Sequence, residues 1–333
     1  MRFIDNLTIF FLIFLLNLIL FYNFNKLSKF LNIYDKPDDI LKKHSKTAFP
    51  LGGIILYLNL TLLFIIDLIS SKLNIYGLDQ INLIIFFITI SLIFLLGFFD
   101  DKFNFNYSIK FYLLSIILVA ILLFDKSLQI NELRLSIINL QISIDYIQVF
   151  ITTFFILLFI NALNMFDGIN LQLGLYTLII SFFLFYINPN NIIFLYIIFF
   201  LIFFLFYNYF KNVFLGNSGS MVISFILSYY FIKYYNFEYF TYSENIYIFM
   251  CIPGLDMFRL FIERILKNKN PFKGDNNHIH HILVKNIGFL KSTVVIQLLI
   301  LTSILLSFYN LNLSILISLI IYVFILTIYK KKK

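Results

Sequence analysis

The run LIIFFITISLIFLLGFF, from Leu83 to Phe99, carries no charge and is followed at once by Asp100-Asp101. As a helix rising 1.5 Å per residue it reaches about 25 Å, close to the ~30 Å hydrocarbon core of a bilayer. Similar blocks stand at 7–24, 51–69, 109–124, 147–163, 171–187, 191–209, 218–235, 246–265, 293–309 and 313–329. The pattern predicts an all-α integral membrane protein of about eleven transmembrane helices, built as a single polytopic domain over residues 1–333. The segment 126–145 is polar and alternating, with Gln129, Asn131, Glu132 and Arg134, and predicts a small hairpin outside the bilayer. The eighth block is atypical in carrying Asn217, Ser218, Ser220 and Ser224 on its entry side.

Composition agrees. The 333 residues are 61% hydrophobic and 13% charged, whereas a soluble domain has about 45–50% and about 25%. Mean hydropathy is +0.92. The single cysteine, Cys251, lies inside an apolar block and excludes an intramolecular disulfide. Arg2 is the one basic residue ahead of the first block and no small-residue cleavage site follows Phe21, so a retained first span is expected.

Of 25 Lys and Arg residues, only Arg2, Lys72, Lys126, Arg134 and Lys233 fall on one side of an eleven-span chain. The remainder mark the cytoplasmic side, because basic residues collect there. The N-terminus and the hairpin are then periplasmic and the C-terminus cytoplasmic. This also accounts for the net charge of +8 without nucleic acid, since the Phe and Tyr residues lie within the spans and not among the basic ones.

The same topology sends every histidine (His44, His278, His280, His281) to the cytoplasmic side, with Asp100, Asp101, Asp167, Asp256 and Asp275. Ionisable groups gathered at one membrane face indicate a site. Asp100 and Asp101 repel each other at the negative end of a helix dipole, and a divalent cation relieves both problems; a solvated stop signal is the plainer explanation. Asn161, Asn164 and Asp167 share one helical face, suited to a metal-nucleotide group, though a helix end before Gly168 would also favour Asn and Gly. Phe214 to Ser220 opens a helix whose free N–H groups suit phosphate, or are capped by Asn217 or Ser218. Pro253-Gly254 suggests a discontinuous span, after which Asp256, Arg259 and Glu263 line one face as ligand-binding groups or as an internal ion-pair ladder. His278-Ile-His280-His281 lacks zinc-site spacing and a Cys partner; beside Lys267, Lys269 and Lys273 it suits a diphosphate.

In order, Asp35-x-Pro37, Lys43-His44, Pro50-x-Gly52-Gly53, Gly97-x-x-Asp100-Asp101 with Lys110, Asn161-Ala-x-Asn164-x-x-Asp167-Gly168, Gly216-Asn217-Ser218-Gly219-Ser220, Pro253-x-x-Asp256 and Pro271-Phe272 to His281 resemble the motifs of the polyprenyl-phosphate N-acetylhexosamine-1-phosphate transferases, glycosyltransferase family 4. The match runs along nearly the whole chain. The His-Ile-His-His form resembles the branch that uses UDP-N-acetylhexosamines such as GlcNAc.

The resemblance implies transfer of a sugar 1-phosphate from a UDP-sugar to undecaprenyl phosphate, giving undecaprenyl-diphosphate-sugar and UMP and initiating a lipid-linked cell-surface glycan. It implies a bacterial inner membrane, an active site at the cytoplasmic face, and Mg²⁺, with Mn²⁺ as a possible substitute. Asp100, Asp101 and Asp167 are then catalytic; Asp101, Asn164, Asp167 and Asn217 hold the metal; Lys43, His44, Lys110, Asn161, Asp256, His278, His280 and His281 bind substrate. Asp100 handles the acceptor phosphate, and an aspartyl-phosphate on Asp167 is the alternative route. Partners are the UDP-sugar, the lipid phosphate and the bilayer, with a homodimer possible. The chain departs from the pattern in its longer first loop with Lys42-Lys43, in Asn170-Leu171-Gln172 for Asn/Asp-Gly-Leu, and in Asn217 where the pattern has Asp. Two other readings stand beside this one: a catalytically impaired lipid-phosphate-binding relative, suggested by Asn217, and a secondary transporter. The transporter would need mid-bilayer charges, for which Asp67 and Asp256 are candidates, and an inverted repeat, which the sequence does not show.

Overall fold

The computed structural model describes residues 2–33, 49–70, 73–270 and 277–330. Among them are thirteen α-helices and one two-stranded sheet. In chain order these are α1 (Arg2–Tyr22), α2 (Phe24–Leu31), α3 (Gly52–Ile69), α4 (Gln80–Phe103), α5 (Tyr107–Phe124), β1 (Glu132–Leu135), β2 (Leu140–Ser143), α6 (Gln148–Phe166), α7 (Gln172–Ile187), α8 (Ile193–Lys211), α9 (Gly216–Asn236), α10 (Ser243–Leu266), α11 (Ile279–Ile287), α12 (Phe289–Tyr309) and α13 (Leu311–Lys330). Helices satisfy their own backbone groups, which hydrocarbon requires.

Each of the eleven apolar blocks coincides with one helix. Eight helices (α3, α4, α5, α6, α8, α10, α12 and α13) are long and apolar enough to cross a membrane, and α1 with α2 makes a ninth candidate bent by 68°. The chain is a multi-pass membrane protein. Helix α7 is shorter, and α9 is less apolar for a physical reason: it is buried at every position from Ser218 to Tyr235, so its hydroxyls and Lys233 meet protein and not lipid.

The chain divides into two compact units, Met1–Ile117 with Thr177–Ile223, and Leu118–Tyr176 with Ser224–Lys333. In the first, α1 packs on α3 and α8, and α3 on α4. A reciprocal amide pair, Asn17 with Asn59 at 3.0 and 3.1 Å, is buried between α1 and α3. In the second, α10 packs on α6, α12 and α13. Contrary to the discontinuous span expected at Pro253-Gly254, α10 runs unbroken through Pro253. Proline cannot donate to the carbonyl four residues back. That carbonyl, of Phe249, instead accepts the Tyr176 hydroxyl at 3.1 Å.

The hairpin expected in 126–145 is present, with Glu132 opposite Ser143 and Leu135 opposite Leu140. It is fastened to the end of α9. The Arg134 N–H donates to the Tyr235 hydroxyl at 2.7 Å, which donates to the Glu132 carbonyl, while Asn236 donates to the carbonyls of Ser127 and Gln129. Beneath it the Lys233 ammonium lies 3.0 Å from the Asp125 carboxylate and also meets Ser127, and the Tyr229 hydroxyl donates to Asp125. Both charged side chains are buried. Removing one partner of a buried pair costs about 3–5 kcal/mol. Lys233→Met should therefore lower the thermal midpoint of the detergent-solubilised protein by several degrees, and Lys233→Met with Asp125→Asn should recover most of that loss.

Candidate functional site

In the first unit the last turn of α4 carries Asp100 and Asp101, and the chain leaves the helix through Asn104 in the left-handed region. The two carboxylates point to different partners, which separates their charges. Asp100 is buried; its Oδ2 accepts the Lys110 ammonium at 2.8 Å and its Oδ1 the Phe105 N–H at 2.9 Å. Asp101 reaches the N-terminus of α9, where its oxygens accept the N–H groups of Asn217 (2.7 Å) and Ser218 (3.0 Å) and the Ser218 hydroxyl (3.0 Å). A helix N-terminus attracts an anion, and here that anion is Asp101. The N–H groups that the sequence offered to phosphate are thus committed to a side chain from α4. The turn approaches its neighbours backbone to backbone. A Cβ on Gly53 would stand 2.3 Å from the Gly219 nitrogen, and one on Gly97 2.6 Å from the Ser218 Cα.

In the second unit α6 ends with Asn161 and Asn164, both half-buried, and Asp167 as its C-cap, also half-buried. The turn that follows places Leu171 at φ +65°, where the family pattern has glycine. On α10, Asp256 is buried and satisfied on every side. It accepts the Arg259 guanidinium (2.8 Å), His278 Nδ1–H (2.8 Å), the Ile279 N–H at the start of α11 (3.1 Å) and the Tyr322 hydroxyl (3.0 Å). Arg259 continues to Glu263 at 2.8 Å, so the ion-pair ladder weighed from the sequence is present. Asp256 therefore holds the His loop in position.

The three histidines cluster. The His278 ring stacks on His280 at 5.3 Å, and His281 lies 4.3 Å from His280. His280 is fully buried against Gly168, where a Cβ would meet Nε2 at 2.2 Å. Neither of its ring nitrogens has a hydrogen-bond partner among the described residues. Burial, followed by the neighbouring imidazoles, holds the pKa of His280 well below the ordinary histidine value. Lys43 and His44, together with Asp35, Pro37, Pro271, Phe272, Lys273 and Asp275, lie outside the described residues.

The expected metal donors fall in two groups, Asp101 with Asn217, and Asn164 with Asp167. Among the described residues no three His, Cys, Asp or Glu side chains form a metal-holding group. Hard oxygen donors offered one or two at a time fit Mg²⁺, which keeps waters and substrate phosphates in its shell. Asp101 accepts three hydrogen bonds yet retains a lone pair, since a carboxylate has about four such sites. Sequence reasoning missed Tyr322 and Tyr176. No local pattern marks either, because each acts on a residue more than sixty positions away.

Apolar helices long enough to cross a membrane, with carboxylates and amides at helix ends in the first unit and carboxylates, amides and imidazoles at helix ends in the second, define a multi-pass membrane protein with polar sites at its helix ends. Residues 83–235 match the profile of glycosyl transferase family 4, a stretch that includes Asp100-Asp101, Asn161 to Gly168 and Gly216 to Ser220. Over 291 residues the chain is 30% identical to the undecaprenyl-phosphate alpha-N-acetylglucosaminyl 1-phosphate transferase of Thermotoga maritima, covering 87% of this chain and 84% of that one. The proteins of the same name from Escherichia coli K12 (23%, covering 82% and 75%) and Salmonella typhi (24%, covering 83% and 76%) are also similar. The chain belongs to glycosyl transferase family 4 and is a phospho-sugar transferase.

Two outcomes test this geometry. A leucine in the left-handed region costs about 1–2 kcal/mol, and glycine returns part of that as chain entropy. Leu171→Gly should therefore stabilise the protein by roughly 0.5–1 kcal/mol, read as a higher thermal midpoint. His280 stays neutral in the folded chain but takes up a proton near pH 6.5 when unfolded. Its contribution to stability is thus complete above that pH and declines as pH falls below it. His280→Phe should flatten the fall in thermal midpoint between pH 7 and pH 5.

Proposed function

We propose that this transferase moves N-acetylglucosamine 1-phosphate from UDP-N-acetylglucosamine to undecaprenyl phosphate, releasing UMP, at the cytoplasmic face of a bacterial inner membrane, and so begins a lipid-linked cell-surface glycan. The observation that carries this reading is the likeness, at 30% identity over 87% of the chain, to the Thermotoga enzyme whose name states that acceptor and that sugar phosphate. The basic residues gathered on one side of the spans support the orientation.

The acceptor phosphate has a second pKa near 6 and is largely dianionic at neutral pH, so it needs no strong base. Its oxygen attacks the sugar-bearing phosphorus, the bond to the uridylyl phosphate breaks, and UMP leaves with the bonding electron pair. The main obstacle is the approach of two anions. Mg²⁺, or Mn²⁺ in its place, would supply charge neutralisation when bound to the diphosphate; Asp101 and Asn217 in the first unit, and Asn164 and Asp167 in the second, are the donors each unit would offer. Lys110 brings a cation whose position Asp100 fixes. Asn161 and the imidazoles of His278 and His281 bind the nucleotide-sugar, on a loop that Asp256 orients, and the buried His280, expected from the sequence to bind it as well, packs against both imidazoles.

The second unit also offers room for an isoprenoid tail. An apolar cavity of about 350 Å³ runs between α6 and α10, from Ser243 and Ile246 to Ala162, Gly254 and Phe258. A Cβ at Gly254 meets nothing within 4 Å. The cavity ends at Ala162 on one helix and Phe258 on the other, next in sequence to the amide of Asn161 and the guanidinium of Arg259, so a chain lying in it brings its phosphate to the helix ends that carry these groups.

Purified protein with undecaprenyl phosphate and a panel of UDP-sugars should release UMP fastest with UDP-N-acetylglucosamine, and Asp167→Asn should remove at least 99% of that release. Gly254→Leu should raise KM for undecaprenyl phosphate about tenfold and leave KM for the nucleotide-sugar unchanged. Full activity in Asp167→Asn, or no UMP from any UDP-sugar, would reject the proposal.

A further inference from the structure

In the first unit α1 and α8 run side by side, with Phe10 against Tyr196 (4.6 Å), Phe14 against Phe203 (5.6 Å) and Phe21 against Tyr207 (4.9 Å). Beside their C-terminal halves is a cavity of about 390 Å³, lined by Leu18, Tyr22, Ile202, Phe203, Phe206 and Tyr207. Apart from two phenol groups this lining is hydrocarbon. At its end the chain turns by 68° into α2, and the Asn23 side chain fastens the turn to the Ile19 carbonyl at 2.9 Å. Helix α2 is two-faced: Phe24 and Ser28 are buried, while Lys26, Lys29 and Phe30 are exposed. Phe30 is 86% exposed and Tyr22 77%. Lys211, the last residue of α8, is exposed at the same end, one turn beyond Tyr207, whose ring meets both Phe21 and Phe24. None of these three lysines is ion-paired with a described residue.

We propose that this corner binds an anionic phospholipid, with one acyl chain in the α1–α8 cavity and the phosphate against Lys26, Lys29 and Lys211. A short helix turned sharply from a span, with lysines and aromatic rings on its outer face, has the build of an element that lies in the headgroup layer. Three exposed ammonium groups at one end of the unit select a negative headgroup over a zwitterionic one. The cavity distinguishes the corner from a merely basic surface, because it gives the acyl chain a place in the protein.

The corner is linked to Asp101 by contacts within the same unit. The Phe24 ring meets Phe49 edge-on at 5.4 Å. Phe49 bridges Val213 in parallel, and its carbonyl accepts the Phe214 N–H at 2.8 Å. Two residues on, α9 begins, and Asn217 and Ser218 donate to Asp101. A lipid that steadies α2 therefore steadies the segment presenting those N–H groups.

The test uses the full-length protein with equal phosphatidylglycerol and phosphatidylcholine, read by native mass spectrometry. The wild type should retain phosphatidylglycerol at least tenfold over phosphatidylcholine, and excess undecaprenyl phosphate should not displace it. The triple variant Lys26→Gln, Lys29→Gln, Lys211→Gln should lose the preference, and Ile202→Trp, which fills the cavity, should reduce retention with all three charges intact. Phosphatidylglycerol should also slow amide hydrogen exchange at Asn217 and Ser218 in the wild type and not in the triple variant. Equal retention of the two lipids, a preference unchanged in the triple variant, unchanged retention in Ile202→Trp, or displacement by undecaprenyl phosphate would each overturn the proposal. The last would make the corner the acceptor's own site. None of these readouts requires catalysis, so an inactive preparation would leave the result standing.

Discussion

A carboxylate withdrawn from water must be given hydrogen-bond donors or a counter-charge, and in this chain that requirement fixes where the polar segments fold. Asp101, on α4, closes on the N-terminus of α9, and Asp256, on α10, closes on the N-terminus of α11. In both cases an acid meets the positive end of a helix other than its own. Asp100 takes Lys110, Asp125 takes Lys233, and Asp67 takes the N–H groups of Ile75 and Tyr76 where the chain leaves α3. Remove these pairings and nothing apolar would decide the position of the loops, because a hydrocarbon surface is indifferent to register.

The same requirement gives neighbouring groups different characters. Asp100 and Asp101 are adjacent, yet one is spent on an ammonium group and the other on hydroxyl and amide donors. His278 and His280 stack at 5.3 Å, but the first has a carboxylate on Nδ1, while among the described residues neither ring nitrogen of the second has a hydrogen-bond partner. Such pairs let one short segment supply a fixed group and a group with unused hydrogen-bonding capacity. In the proposed reaction, where a highly charged diphosphate must be received, such unused capacity is what a substrate would engage.

The sequence made much of this legible. The apolar blocks found their helices because hydrophobic length is a local property, and the hairpin was visible because residues 126–145 alternate. The motif residues were visible because polar side chains are rare in this chain. Other features were hidden because they depend on partners far away in sequence. Nothing near Pro253 announces that Tyr176 will take over the carbonyl it cannot serve, so a break looked reasonable where the helix continues. Helix α9 was the atypical block among the eleven, and its burial from Ser218 to Tyr235 explains why serines and a lysine are tolerated there. The bend at Asn23 and the amphipathic α2 fell between an apolar block and a polar loop, where periodicity over eight residues is a weak signal.

The replacement of the pattern's aspartate by Asn217 can be weighed on these grounds. An aspartate there would put a second negative charge at the helix terminus that already receives Asp101. Without a cation the two would repel; with one they would share it. Asparagine keeps a side-chain oxygen and removes the repulsion, and the Asp101 carboxylate accepts the Asn217 and Ser218 N–H groups. Since Mg²⁺ takes part of its shell from substrate phosphates, a weaker protein ligand at one position would be compatible with the proposed reaction. If Mg²⁺ serves the proposed reaction, the cost of Asn217 would be a higher requirement for free cation and not the loss of activity.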